Sequence, residues 1–304
     1  MTKLFLITGF LGAGKTTFLQ NILKQNNVKT GVLMNEFGKE SIDGITIESE
    51  NINMIQLTNG SIFCNCLKNH FIEGLIDLIN QNLDYIFIES SGLADPSDMG
   101  KVLNVVRTST HTEFDYQGII CLVDGVYFEK ELSTMVNVER QIKHSHIILI
   151  NKTDLIDTSK LNDIRNKISK INERAKIYDI QFGQIKLKAL ENQVFHIAEE
   201  ETTNKEDKRP STIVLRFKNE PTKDNLTDFL NALTSDYFRI KGYVLINKTN
   251  YKVDVVNESI EIIAVTEVCK KSELVFLASS GITSISKLTK ATNKYIPGLF
   301  ELEV

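Results

Sequence analysis

In "LITGFLGAGKTTFLQNIL" (Leu6–Leu23) a short apolar run breaks into glycines, then Lys-Thr-Thr, then an amphipathic stretch. The apolar run Leu4–Ile7 ends in glycines, and Phe18, Leu19, Ile22 and Leu23 then recur at helical spacing. A buried strand followed by an amphipathic helix is implied, joined by Gly9-x-x-x-x-Gly14-Lys15-Thr16. That spacing fits a phosphate-binding loop. Glycines let backbone N–H groups wrap an anion, and the helix N-terminus adds its positive dipole end. Lys15 would reach the outer phosphates of a nucleoside triphosphate and the Thr16 hydroxyl would ligate Mg²⁺. Gly9, Gly12, Ala13, Gly14, Lys15, Thr16 and Thr17 form the expected phosphate cradle.

Downstream, strand-like and helix-like segments alternate. "TGVLMNEF" (30–37), "INMIQLTNG" (52–60), "YIFIES" (85–90), "GIICLVD" (118–124) and "HIILIN" (146–151) read as strands. "HFIEGLIDLINQ" (70–81), 98–106 and 139–144 read as helices. This alternation implies an α/β domain with a mostly parallel sheet covered on both faces. Sites in such folds gather at the carboxyl ends of strands, where these motifs fall. At "EEETTNKEDKRP" (199–210) the chain turns polar and charged, as a linker does. From "STIVLRF" onward strands cluster without alternating helices, which suggests a smaller α+β domain. The expected division is 1–200, a linker at 201–210, and 211–304.

Two further motifs name the nucleotide. In "NKTD" (Asn151–Asp154), directly after a strand, the Asp154 carboxylate would accept hydrogen bonds from the guanine ring N–H and exocyclic amine. Adenine offers no such donor pair and would leave the carboxylate unpaired. Lys152 would lie over the base and Asn151 would brace the loop. In "FIESSGLADP" (87–96), Glu89 would either hold Mg²⁺ through water or orient the attacking water, and Gly92 would sense the γ-phosphate. These motifs contain no arginine, so slow intrinsic hydrolysis is expected, with Lys15 and Glu89 as the catalytic residues.

Composition sets bounds on partners. In 304 residues, 35 Lys and Arg face 39 Asp and Glu, so no dominant nucleic-acid surface is implied. No apolar run approaches the roughly 20 residues needed to span a bilayer, and the N-terminal run is too short for a signal peptide. The four cysteines form no disulfide framework, which fits a reducing cytoplasm.

The motifs together resemble the CobW-type GTPases, GTP-dependent metal chaperones and insertases. The resemblance rests on "GFLGAGKTT", "NEFG" (35–38), "IDG" (42–44), "NGSIFC" (59–64), Glu89-Ser-Ser-Gly92, "NKTD" and "RIKGY" (239–243), so it runs almost the full length. It implies an N-terminal GTPase domain, a C-terminal domain specific to these proteins, and a loop around Asn35 and Glu36 that moves with nucleotide state. The family's metal signature, Cys-x-Cys-Cys after Asn-Gly, is altered to Ser61-Ile62-Phe63-Cys64-Asn65-Cys66. Cys64 and Cys66 remain a thiolate pair able to bind Zn²⁺ or Co²⁺ with a carboxylate or imidazole. The resemblance places Glu36 nearby as that carboxylate. His70 is either a further ligand or simply the start of the next helix. Cys121 and Cys269 read as packing residues. Many family members carry a histidine-rich linker, but this one contains no histidine, which argues against bulk metal storage.

Two functions follow. One is a GTP-gated metallochaperone serving a client metalloprotein or cofactor enzyme. The other is a metal-independent GTPase switch that controls or reactivates a cofactor-dependent, for instance corrinoid, enzyme.

Overall fold

The computed structural model describes residues 1–25, 28–36, 52–58, 68–192, 211–266, 272–278 and 281–303. The chain divides into two compact units, Met1–Asp207 and Lys208–Val304.

In the first unit, β1 (Thr2–Gly9) is the central strand and α1 (Lys15–Gln25) follows it. Then come β2 (Thr30–Glu36), β3 (Ile52–Thr58), α2 (Lys68–Ile79), β4 (Tyr85–Glu89), α3 (Met99–Ser109) and β5 (Phe114–Asp124). The unit continues with α4 (Phe128–Thr134), α5 (Val136–Lys143), β6 (Ile147–Asn151), α6 (Thr158–Ile171) and β7 (Lys176–Asp179). The seven strands lie in the order β3-β2-β4-β1-β5-β6-β7, and every pair is parallel.

Alternation along β1 shows why both faces must be covered. Leu4 and Leu6 join a core with Phe71 and Leu75 of α2 and Val102 and Leu103 of α3. Phe5 and Ile7 point the other way, into a core with Phe18, Leu19 and Ile22 of α1. A strand buried on both sides reads as a continuous apolar run, as this one does. Because all strands run the same way, Gly9, Glu89, Asp124 and Asn151 end at one edge of the sheet.

The second unit holds a six-stranded antiparallel sheet in the order β11-β10-β9-β12-β8-β13. Its strands are β8 (Ser211–Phe217), β9 (Arg239–Ile246), β10 (Thr249–Val256), β11 (Ser259–Val265), β12 (Glu273–Ala278) and β13 (Phe300–Glu303). The helices α7 (Lys223–Asn231) and α8 (Gly281–Tyr295) supply Leu226, Phe229, Leu230, Leu288 and Ala291 to its core. In "RIKGY", the Arg239 guanidinium donates to both carboxylate oxygens of Asp254 on the neighbouring strand, at 2.9 and 2.7 Å.

Several expectations shift in detail. Helix α2 begins two residues before His70, α3 begins at Met99 after a 3-10 turn at Pro96–Asp98, and α5 starts at Val136. Strand β5 begins at Phe114 rather than Gly118, because its register with β1 shifts between Leu4 and Phe5 and breaks the alternation. The linker at 201–210 and the motifs at 37–38, 42–44 and 59–64 lie outside the described residues. No helix among the described residues is long and apolar enough to cross a membrane.

Candidate functional site

The phosphate loop closes over the end of β1. Its glycines take left-handed or related conformations, with φ of +132° at Gly9, +77° at Gly12 and +97° at Gly14. Lys15 opens α1, and its ammonium donates to the carbonyls of Gly9 (2.8 Å) and Phe10 (3.0 Å). This lysine is almost wholly buried, so its charge sits within the loop. Thr17, the next threonine but one, is exposed.

Thr16 and Glu89 meet across the site. The Thr16 hydroxyl donates to Glu89 Oε1 at 2.9 Å, joining the first turn of α1 to the end of β4. Glu89 is buried. A hydroxyl and a carboxylate brought together beside a lysine form a hard oxygen set, which suits Mg²⁺. The hydroxyls of Thr8 and Ser91 are also buried and have no hydrogen-bond partner among the described residues. Buried polar atoms left in this state are costly unless something polar binds there. The residues present therefore fit a triphosphate with its cation.

Gly92 follows Glu89-Ser-Ser against the phosphate loop. A Cβ there would lie 2.8 Å from the Leu11 backbone nitrogen, so only glycine allows this approach. Three side chains of α5 hold the segment after it. Asn137 donates to the Leu93 carbonyl at 2.6 Å, and Gln141 donates to Gly92 and Ala94 at 3.1 and 2.9 Å. Arg140 pairs with the fully buried Asp95 at 2.5 Å. Asp95 in turn caps the 3-10 turn by accepting from the Ser97 N–H.

The second loop is built on β6. Asn151 donates to the Ala13 carbonyl (3.0 Å) and accepts from the Gly183 N–H (3.1 Å), so one amide joins the phosphate loop to the turn after β7. Lys152 adopts φ +61° and its ammonium bonds Asp124 at 2.7 Å. Asp124 is fully buried and also accepts from the N–H groups of Val126 and Tyr127. Three partners satisfy that buried carboxylate and fix the lysine stem over the loop. Asp154 stands exposed in the following 3-10 turn.

Sequence reasoning passed over Asp124, Asn137, Arg140 and Gln141. The signal for Asp124 was present, since it ends the apolar run "GIICLVD" just as Glu89 ends "YIFIE". The α5 residues carry no short motif. Cys64 and Cys66 lie outside the described residues, as does the side chain of Glu36 at the end of β2. His70 is exposed in the first turn of α2. Among the described residues, no group of three or more His, Cys, Asp and Glu could hold a metal ion. Cys121 is a buried free thiol, and burial pushes it up to about 12, in keeping with a packing role.

The family profile described as CobW/HypB/UreG, nucleotide-binding domain, matches residues 3–179. The chain belongs to this family. Its relatives include a protein of Escherichia coli named zinc chaperone YjiA, 34% identical over 199 residues, covering 62% of this chain and 60% of that protein. A protein of Schizosaccharomyces pombe named zinc-regulated GTPase metalloprotein activator 1 is 32% identical over 193 residues, covering 59% of this chain and 46% of that one. The matched stretch therefore spans less than two thirds of either relative's length. The crystal structure of Zn(II)-bound YjiA GTPase from E. coli aligns with 97% of this chain and 98% of its own, at 22% identity and a TM-score of 0.48. The fold assignment rests on the sheet topology and the family match.

Proposed function

We propose that this family member binds and hydrolyses GTP with Mg²⁺ and acts as a metallochaperone, passing Zn²⁺ or Co²⁺ to a client metalloprotein or cofactor enzyme. The observation that carries the GTPase reading is the Thr16–Glu89 contact beside Lys15, linked through Asn151 to the loop that ends in Asp154. The names of the zinc-chaperone relatives support the metal reading.

In this mechanism Lys15 exchanges its bonds to Gly9 and Phe10 for phosphate oxygens and neutralises the charge that builds there. Bound Mg²⁺ would be held by Thr16 and by Glu89 through water, and would supply charge neutralisation for the phosphates. Glu89 also orients the attacking water, and Gly92 reads the γ-phosphate. Asp154 selects guanine. Cys64, Cys66 and Glu36 hold the transition metal, and the nucleotide state sets how tightly.

The test is a pair of Zn²⁺ and Co²⁺ titrations on reduced protein, with GDP and with a non-hydrolysable GTP analogue. A coupling of about 1–3 kcal/mol gives a several-fold to hundredfold difference in metal affinity, with the same factor on nucleotide affinity. Cys64→Ser should remove the coupling and leave GDP binding nearly unchanged. Identical metal affinities in both states reject gating. Loss of all Cys64-dependent binding favours the metal-free switch. Equal affinities for ATP and GTP reject the guanine assignment, and Lys15→Ala should abolish turnover.

A further inference from the structure

Phe182 is 63% exposed and adopts φ +52°, a left-handed conformation that bulky residues rarely take. An exposed aromatic in a strained conformation persists when surrounding contacts impose it, and such positions cluster at ligand sites. Here the contacts are specific. The Thr153 hydroxyl donates to the Ile180 carbonyl at 2.9 Å, and Asn151 Oδ1 accepts from the Gly183 N–H. Both residues belong to the loop that carries Asp154. On the other side, Asn21 of α1 donates to the Phe182 carbonyl at 2.6 Å. The turn after β7 is thus tied to the guanine loop on both flanks of Phe182, and to the helix that follows the phosphate loop. Phe182 also lies beyond residues 3–179, the stretch the family profile matches.

From this geometry we infer that Phe182 is a base-contacting residue, its ring stacking on the guanine that Asp154 reads. The inference rests on the guanine reading above. Aromatic rings pack on the face of any base, so Phe182 adds affinity while Asp154 supplies the choice of base. Because the contact is to the base, it serves GDP and GTP alike.

The experiment uses the full chain with GDP, GTP, guanosine and inorganic tripolyphosphate as probes. Phe182→Ala should weaken GDP and GTP by the same factor, about fivefold to hundredfold, and leave tripolyphosphate binding unchanged. Phe182→Gly keeps the left-handed backbone without strain, so it should show the same loss; a purely conformational role predicts retained affinity in that variant. The chain contains no tryptophan, so Phe182→Trp gives a single tryptophan that can be excited selectively over the tyrosines. Its fluorescence should be quenched by GDP and guanosine and not by tripolyphosphate. Wild-type binding of GDP with no loss in either the Ala or the Gly variant overturns this inference alone. Saturable GDP binding without any change in Phe182→Trp emission does the same. Failure of the wild type to prefer guanine nucleotides overturns the guanine reading and this inference with it.

Discussion

A methyl group on Gly14 would sit 2.4 Å from Asn151 Nδ2, at a backbone φ of +97°. Asn151 cannot swing away without losing its bond to the Ala13 carbonyl. Gly14→Ala is therefore expected to lower both GDP and GTP affinity by on the order of tenfold or more, measured by calorimetric titration. Asp154→Asn should shift preference from GTP toward xanthosine triphosphate, because the new amide donates where the carboxylate accepted. At Cys121, a thiol pushed up to about 12 by burial carries almost no thiolate near neutral pH. Alkylation followed by peptide mass spectrometry should leave Cys121 unmodified in native protein at pH 8 and modify it after unfolding. A short motif says little alone. Asn-Lys-Thr occurs at 151–153 and again at 247–249. In the second copy Asn247 and Lys248 are both left-handed and form the tight hairpin turn between β9 and β10. The two differ at the fourth residue, Asp154 against Asn250, and in position, since only the first follows a parallel strand downstream of the phosphate loop.

Helix α5 shows what an element can do without a motif. Asn137, Arg140 and Gln141 lie on one face at helical spacing and read the backbone and side chain of the segment after Glu89. Arg140→Ala would leave the Asp95 carboxylate buried without its cation, which destabilises by about 3–5 kcal/mol in comparable cases. The expected result is a lower denaturant midpoint together with slower GTP hydrolysis, since the Gly92 segment loses its anchor. Strands β1, β4, β5 and β6 were legible because burial on both faces makes them continuous apolar runs. Strand β7 was not, since its four residues are only half-buried or exposed at the sheet edge. The hold of α5 on the segment after Gly92 was illegible for another reason: its bonds go mostly to backbone carbonyls, which any sequence supplies.

Each unit of the chain has a hydrophobic core of its own, built around a parallel sheet in one and an antiparallel sheet in the other. A chain ending at Lys205 is accordingly expected to fold and to bind GTP with the full chain's affinity. Circular dichroism and nucleotide titration check this together, and a folded fragment unable to bind would place part of the nucleotide site in the second unit. The fold class was readable from the alternation of strands and helices and its loss after residue 199, whereas Cys64 and Cys66, which depart from their family's pattern, lie outside the described residues. The parallel sheet has one more consequence. Among the described residues, Gly9, Glu89, Asp124 and Asn151 stand at its carboxyl edge, away from the amino edge. There Lys3 and the Tyr85 hydroxyl share Glu191, and the exposed Lys29 leads into β2 with its N–H held by Asp84. That edge is the natural place to fasten the molecule. A surface linker or dye attached at Lys29 would sit at the end of the sheet away from the phosphate loop, so turnover by single tethered molecules should match that of the free protein.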